Sequence, residues 1–199
     1  MPASLGPVRR HFGALILGGA LLLSSPLPLR ADELEIWRPS TVPAFNLPTL
    51  DGAMEHLGAG AGRLTIVHFF ATWCEPCRDE LKSLERLAVA LGARRLRILA
   101  VDVGEPGDRV RRFLERHKIS LRFPVLLDVE KQAMRAWAVE MLPTSYVLDG
   151  AFCPLWKVAG ALDWDVGAAL AGLKAELARL EQGAGRGSEQ DCIVKGGNQ

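Results

Sequence analysis

The chain has 199 residues, 49% of them hydrophobic, and its 24 Lys and Arg against 23 Asp and Glu give a formal net charge of +1. That is enough material for one globular core with appendages, and the near-neutral balance excludes a protein built to neutralise nucleic-acid phosphates. Four cysteines and four scattered histidines are the scarce reactive groups.

Residues 1–31 stand apart from the rest. Arg9, Arg10 and His11 precede an apolar run from Phe12 to Leu23, followed by Ser24, Ser25, Pro26 and Pro28, with Ala31 as a cleavage position; this is the layout of a signal peptide. The run is about a dozen residues, short of the roughly 20 that span a bilayer, so a signal peptide is expected, with an uncleaved N-terminal membrane anchor reaching Leu29 as the alternative. No cysteine lies beside it to accept a lipid. Either outcome delivers the domain to an exported compartment where disulfides persist.

Residues 32–43 are polar with Pro39 and Pro43, which predicts a linker or an extended approach to the fold. The domain is expected over 44–182. Phe45, Leu47 and Leu50 lead to the Asp51-Gly52 turn, a hairpin signal. After a loop over 58–62, Arg63 to Phe70 is a short apolar, partly β-branched run suited to a buried strand.

The stretch Ala71-Thr72-Trp73-Cys74-Glu75-Pro76-Cys77-Arg78 follows, and Leu81, Leu84, Leu87, Ala88 and Leu91 then recur at helical spacing up to Gly92, a plausible stop. Cys74 is thereby placed at a helix entrance, where unpaired N–H groups and the dipole favour its thiolate, and Cys77 one turn on, close enough to close a disulfide. Pro76 is tolerated in a first turn because its missing N–H has no intrahelical partner there. Half of a zinc site is the competing reading, but zinc takes about four ligands and no second CxxC exists.

Further along, Leu96 to Val101 predicts a strand ending at Asp102-Val103-Gly104-Glu105, and Gly107-Asp108 opens a helix with Val110, Phe113 and Leu114 on its apolar face and Arg109, Arg111, Arg112, Arg116 and Lys118 on a solvated one. Phe123 to Leu127 reads as a strand, and Met134, Trp137 and Ala138 as the buried side of a short helix. Thr144–Leu148 and Phe152–Val158 form a hairpin across Asp149-Gly150. Val166, Leu170, Leu173, Leu177 and Leu180 mark a last helix with Asp163 or Asp165 near its start. Residues 183–199 have the composition of a flexible tail. An even cysteine count in an exported chain permits a structural Cys153–Cys192 bridge, closing a loop of about 40 residues and contributing roughly 3 to 4 kcal/mol; two free thiols are the alternative.

Four features in order, Phe45 to Gly52, Thr72 to Cys77, Val101 to Glu105 and Met141 to Asp149, resemble the TlpA/ResA/CcmG(DsbE) branch of the thioredoxin superfamily, exported thiol-disulfide oxidoreductases. The resemblance implies an α/β thioredoxin fold, a central mixed sheet flanked by helices, with an N-terminal β-hairpin extension. It implies Cys74 and Cys77 as the redox-active disulfide and Glu105 as a general acid/base beside them. Pro143 would follow a cis peptide bond and form, with Leu142 and Trp73, the substrate-binding surface. His68 stands where thioredoxins carry a buried acid; it is either a proton relay or a core histidine hydrogen-bonded to its surroundings. The function implied is reduction of disulfides in periplasmic proteins, in the manner of cytochrome c maturation or copper-oxidase assembly. No cofactor, no metal and no nucleic acid would be required, the chain would be a monomer, and a membrane thiol transporter of the DsbD/CcdA type would supply electrons. A disulfide donor is disfavoured because Glu75 opposes a Cys74 thiolate. A Sco-type copper-binding factor is disfavoured because the spacing is CxxC rather than CxxxC and no His follows His117. A peroxidase would have Thr where Ala71 stands.

Overall fold

The computed structural model describes Met1, residues 34–58 and residues 62–183. The expectations for the signal segment and for the tail from Ala184 lie outside the described residues. Strand β1 (Glu35–Ile36) is followed by a hairpin, β2 (Phe45–Pro48) and β3 (Met54–Leu57), turned at Asp51-Gly52 with Gly52 at φ +88°, a conformation favouring glycine. Then come β4 (Leu64–Phe70), α1 (Glu75–Leu91), β5 (Leu96–Val103), α2 (Gly107–Arg116), β6 (Val125–Asp128), α3 (Gln132–Ala136), β7 (Thr144–Leu148), β8 (Pro154–Ala159) and α4 (Gly167–Glu181).

The main sheet runs β1-β8-β7-β4-β5-β6, with β4, β5 and β6 parallel and β7 and β8 antiparallel to their neighbours. This is the mixed, helix-flanked sheet of the thioredoxin-like fold. β4 is buried along its whole length because it lies in the middle with side chains packed on both faces. On one face Leu64, Ile66, Phe70, Ile98 and Ala100 join Leu81, Leu84 and Leu87 of α1 and Leu173 and Leu177 of α4. On the other, Val67, Phe69, Leu99 and Val101 join Trp137, Tyr146 and the hairpin residues Phe45 and Leu57. The hairpin is fastened beside β6 by the Thr49–Leu126 bridge and by the Leu50 N–H donating to the Val125 carbonyl. Arg97 of β5 also binds Glu55 and the His56 carbonyl.

Residues 34–43 make the extended approach to the fold: Glu35 and Ile36 pair with Lys157 and Trp156, and Trp37 stacks on Trp137, because the aromatic cluster offers burial that local composition does not reveal. Two local expectations need correction. In α3 the buried residue is Ala133, while Ala138 is exposed at φ +49° after the helix has ended. At α4, neither Asp163 nor Asp165 caps the helix. Val166 occupies the N-cap, and Asp165 takes a two-bond ion pair from Arg86 of α1, a stronger partner for a carboxylate than a backbone N–H.

Candidate active site

The site lies at the C-terminal end of β4, where the central strand stops and α1 begins. Cys74 is the N-cap of α1 in an extended conformation, with its N–H donating to the Ala71 carbonyl at 3.1 Å. No side chain caps the helix, so the first-turn N–H groups and the positive dipole end are left facing Cys74. Pro76 sits in that first turn, as its chemistry allows. Cys74 and Cys77 form a disulfide, with Cα atoms 5.4 Å apart. Cys74 retains 6% exposure and Cys77 none, while the adjacent Trp73 is 67% exposed. The asymmetry gives the pair an outer and an inner sulfur.

Across the sheet, Phe69 pairs with Thr144, which places the cis Leu142–Pro143 bond beside the strand end that leads to Cys74. Leu142 packs against the apolar cluster containing both cysteines, and Met141 is exposed nearby in sequence. The Pro143 carbonyl accepts from the Gly160 N–H at 2.9 Å, tying this turn to β8.

Glu105 is buried, not solvated. Its carboxylate accepts from the Thr72 N–H at 2.6 Å and the Thr72 hydroxyl at 2.7 Å, and pairs with Arg109 of α2 at 2.8 Å. It thus grips the loop two residues before Cys74. Gly104, at φ +80°, makes the turn that delivers it.

A second acid, Glu80, was not singled out from the sequence. It lies one turn beyond Cys77 on the buried face of α1 that also carries Cys77, Leu81 and Leu84. The Trp164 indole N–H donates to Glu80 Oε1 at 2.6 Å, the Ser145 hydroxyl to the same oxygen at 3.3 Å, and the Leu162 N–H to Oε2 at 3.4 Å. Burial outweighs these bonds and pushes its carboxyl up to about 7. A charged residue on an otherwise apolar helical stripe was the available signal.

His68 belongs to the same buried group. Its Nδ1 is 2.8 Å from the Ser145 hydroxyl and 3.6 Å from Glu80 Oε1. With Ser145 donating to Glu80, Nδ1–H is the donor to Ser145. Burial lowers the imidazole to about 3, so it is neutral at ordinary pH. Cys153 is buried immediately before β8, whereas Cys192 lies outside the described residues. Among the described residues, no three His, Cys, Asp or Glu side chains are grouped to hold a metal ion, and no helix is long and apolar enough to cross a membrane.

A model of the AhpC/TSA family matches residues 40–151. The chain is similar to the thiol-disulfide oxidoreductase ResA of Geobacillus thermodenitrificans, 36% identical over 110 residues that make up 55% of this chain and 62% of that protein. It is also similar to the thioredoxin-like protein YneN of Bacillus subtilis, 35% identical over 121 residues, 59% and 68% of the two chains. The chain therefore spans less than two thirds of the length of the ResA relative. Among solved structures it resembles a putative thiol:disulfide interchange protein DsbE from Chlorobium tepidum, with TM-score 0.62 and 25% identity over 73% of this chain and 98% of that one.

Proposed function

The chain belongs to the AhpC/TSA family, and from its thioredoxin-like fold and buried cysteine pair we propose that it is an exported thiol-disulfide oxidoreductase working chiefly as a reductase. The observation that carries the reading is the exposure asymmetry of a disulfide at an uncapped helix N-terminus. Reduced Cys74, as thiolate, attacks one sulfur of a substrate disulfide; a mixed disulfide forms and the first substrate sulfur leaves as a thiolate that takes a proton. Cys77 then gives up its proton and attacks the Cys74 sulfur. The Cys74–Cys77 bond forms, the second substrate thiol departs, and two electrons have passed from the pair to the substrate.

Glu80, one turn from Cys77 and with its carboxyl near neutrality, is the group placed to take the Cys77 proton. Glu105 orients the entrance loop through Thr72 and serves as the outer acid/base. His68 holds Ser145, and through it Glu80. Trp73, Leu142 and Pro143 form the surface on which an extended substrate segment lies, the backbone before Pro143 pairing with it in the manner of an added strand. Substrates of the cytochrome c maturation or copper-oxidase assembly kind, a periplasmic setting and a DsbD/CcdA-type membrane electron donor suit this scheme.

Trapping tests it. With Cys77→Ser the mixed disulfide cannot resolve, so substrate proteins accumulate covalently on Cys74 and are released by reductant; Cys74→Ser forms none. Equal trapping by both variants, or by neither, overturns the proposal.

A further inference from the structure

The C-terminal end of β5 holds an acid that the dithiol scheme does not use. Asp102 is fully buried in a strand otherwise apolar along most of its length. Its partners in register are Phe70 of β4 and Leu127 of β6, neither able to donate from its side chain. Written as a carboxylate, neither oxygen of Asp102 has a hydrogen-bond partner. The charged groups facing it are Glu105, whose carboxyl is close enough to share a proton with it, and Arg109 of α2, which pairs with Glu105. Lys131, from the turn before α3, lays its side chain over the intervening Gly104.

Two buried carboxylates in contact oppose each other's ionisation, and a single proton between them relieves both. Its place follows from the donors. Glu105 already accepts from the Thr72 N–H, the Thr72 hydroxyl and Arg109, whereas among the described residues Asp102 has only the Glu105 backbone N–H to draw on. The proton on Asp102 supplies an O–H donor to Glu105 and gives the orphaned acid its partner.

We propose that Asp102 is a positioning residue of the redox site: protonated, it donates to Glu105 and completes the set of donors through which Glu105 holds Thr72 and the loop entering Cys74. The inference rests on the thiol-exchange reading for its purpose but not for its detection. Burial and the Glu105 charge push Asp102 up to about 8. Above that pH the pair carries two negative charges, the grip on Thr72 weakens, and the added charge opposes the Cys74 thiolate.

The test compares Asp102→Asn with the unaltered protein, both reduced, by the rate of iodoacetamide alkylation of Cys74 from pH 6 to 10. The asparagine amide donates to Glu105 as the carboxylic acid does but cannot ionise. At pH 6.5 the two rates should agree within about twofold, and at pH 8.5 the unaltered protein should react roughly threefold more slowly, half a pKa unit of like-charge opposition. The unaltered profile alone carries an added inflection near pH 8. Superimposable profiles overturn the proposal, as does a folded D102N protein that fails equally at every pH. Should D102N not fold, infrared difference spectra of the unaltered protein with 13C-labelled aspartate decide: a protonated aspartate band at pH 7, lost by pH 10 and shifted in Glu105→Gln, supports the pair, and its absence overturns it. Neither readout needs a substrate, so a failed trapping experiment would remove the proposed function while leaving the acid pair to stand or fall separately.

Discussion

His68 and Glu80 are buried side by side, and burial acts on them in opposite senses. His68 has an ordinary value near 6.5 and is held down to about 3 in the fold. The unfolded chain therefore binds a proton there that the folded chain refuses, so this contribution to stability is complete above about pH 6.5 and is lost as pH falls toward about 3. Glu80 is raised from 4.5 to about 7; the folded chain keeps a proton that the unfolded chain releases, so its contribution is complete below about pH 4.5 and is lost as pH rises through about 7. The two oppose each other between about pH 4.5 and 6.5, so denaturant titrations of the unaltered protein should show a rise of about 2 kcal/mol from pH 3 to 4.5 and then a near-plateau, at roughly 1.4 kcal/mol per pKa unit. His68→Asn should expose the Glu80 decline from about pH 4.5 to 7, and Glu80→Gln the full His68 rise from about pH 3 to 6.5, each a few kcal/mol. The same Glu80→Gln change should slow release of the mixed disulfide at pH 7 by on the order of a hundredfold or more, the typical scale of a lost general base. Unchanged release in a folded variant would remove Glu80 from the proton path.

The element that matters most is α1, which carries both sulfurs at one end and a core stripe along its length. Leu81, Leu84 and Leu87 are fully buried, and a Leu84→Ala variant should lose about 2 to 5 kcal/mol through transfer and cavity effects. Because Leu84 lies two turns beyond Cys77, Cys74 alkylation in the still-folded variant should be unchanged; an altered thiol titration would mean that the helix cannot shift without moving the site. This element also separates what was readable in the sequence from what was not. The leucine spacing, the CxxC at the entrance and Gly92, which ends the helix at φ +77°, were local signals. Glu80 was not a local signal, because nothing in its neighbourhood says that Trp164, eighty-four positions later, will reach back to bury it. Asp165 shows the same effect in reverse: near a helix start it looks like a cap, yet Arg86 from α1 claims it.

At the scale of the molecule, the six-stranded sheet brings three sequence-distant segments to one end: the close of β4, the close of β5 and the entry of β7. Cys74, Glu105 and Pro143 each stood out as part of a motif, so the outline of the site was legible before the fold. His68 stood out as well, but its partners Ser145 and Glu80 did not, nor did Asp102 and Thr72 as partners of Glu105, since those contacts depend on which face of a strand each residue occupies and on what covers that face. The aromatic packing of Trp37 on Trp137 and Tyr146 is likewise a product of long-range docking, invisible in a segment that reads locally as a linker or an extended approach. Together these contacts set one sulfur of the pair at the surface and the other in the core, the asymmetry on which the proposed reductase reading rests. The most direct check of that reading is the equilibrium reduction potential of the Cys74/Cys77 pair, measured with Cys153 and Cys192 replaced by Ser. A reductase should show a value at or below about −200 mV, in the range of reducing thioredoxin-like proteins; a value near about −120 mV, that of a strong oxidant, would contradict the reductase reading and make the protein a disulfide donor.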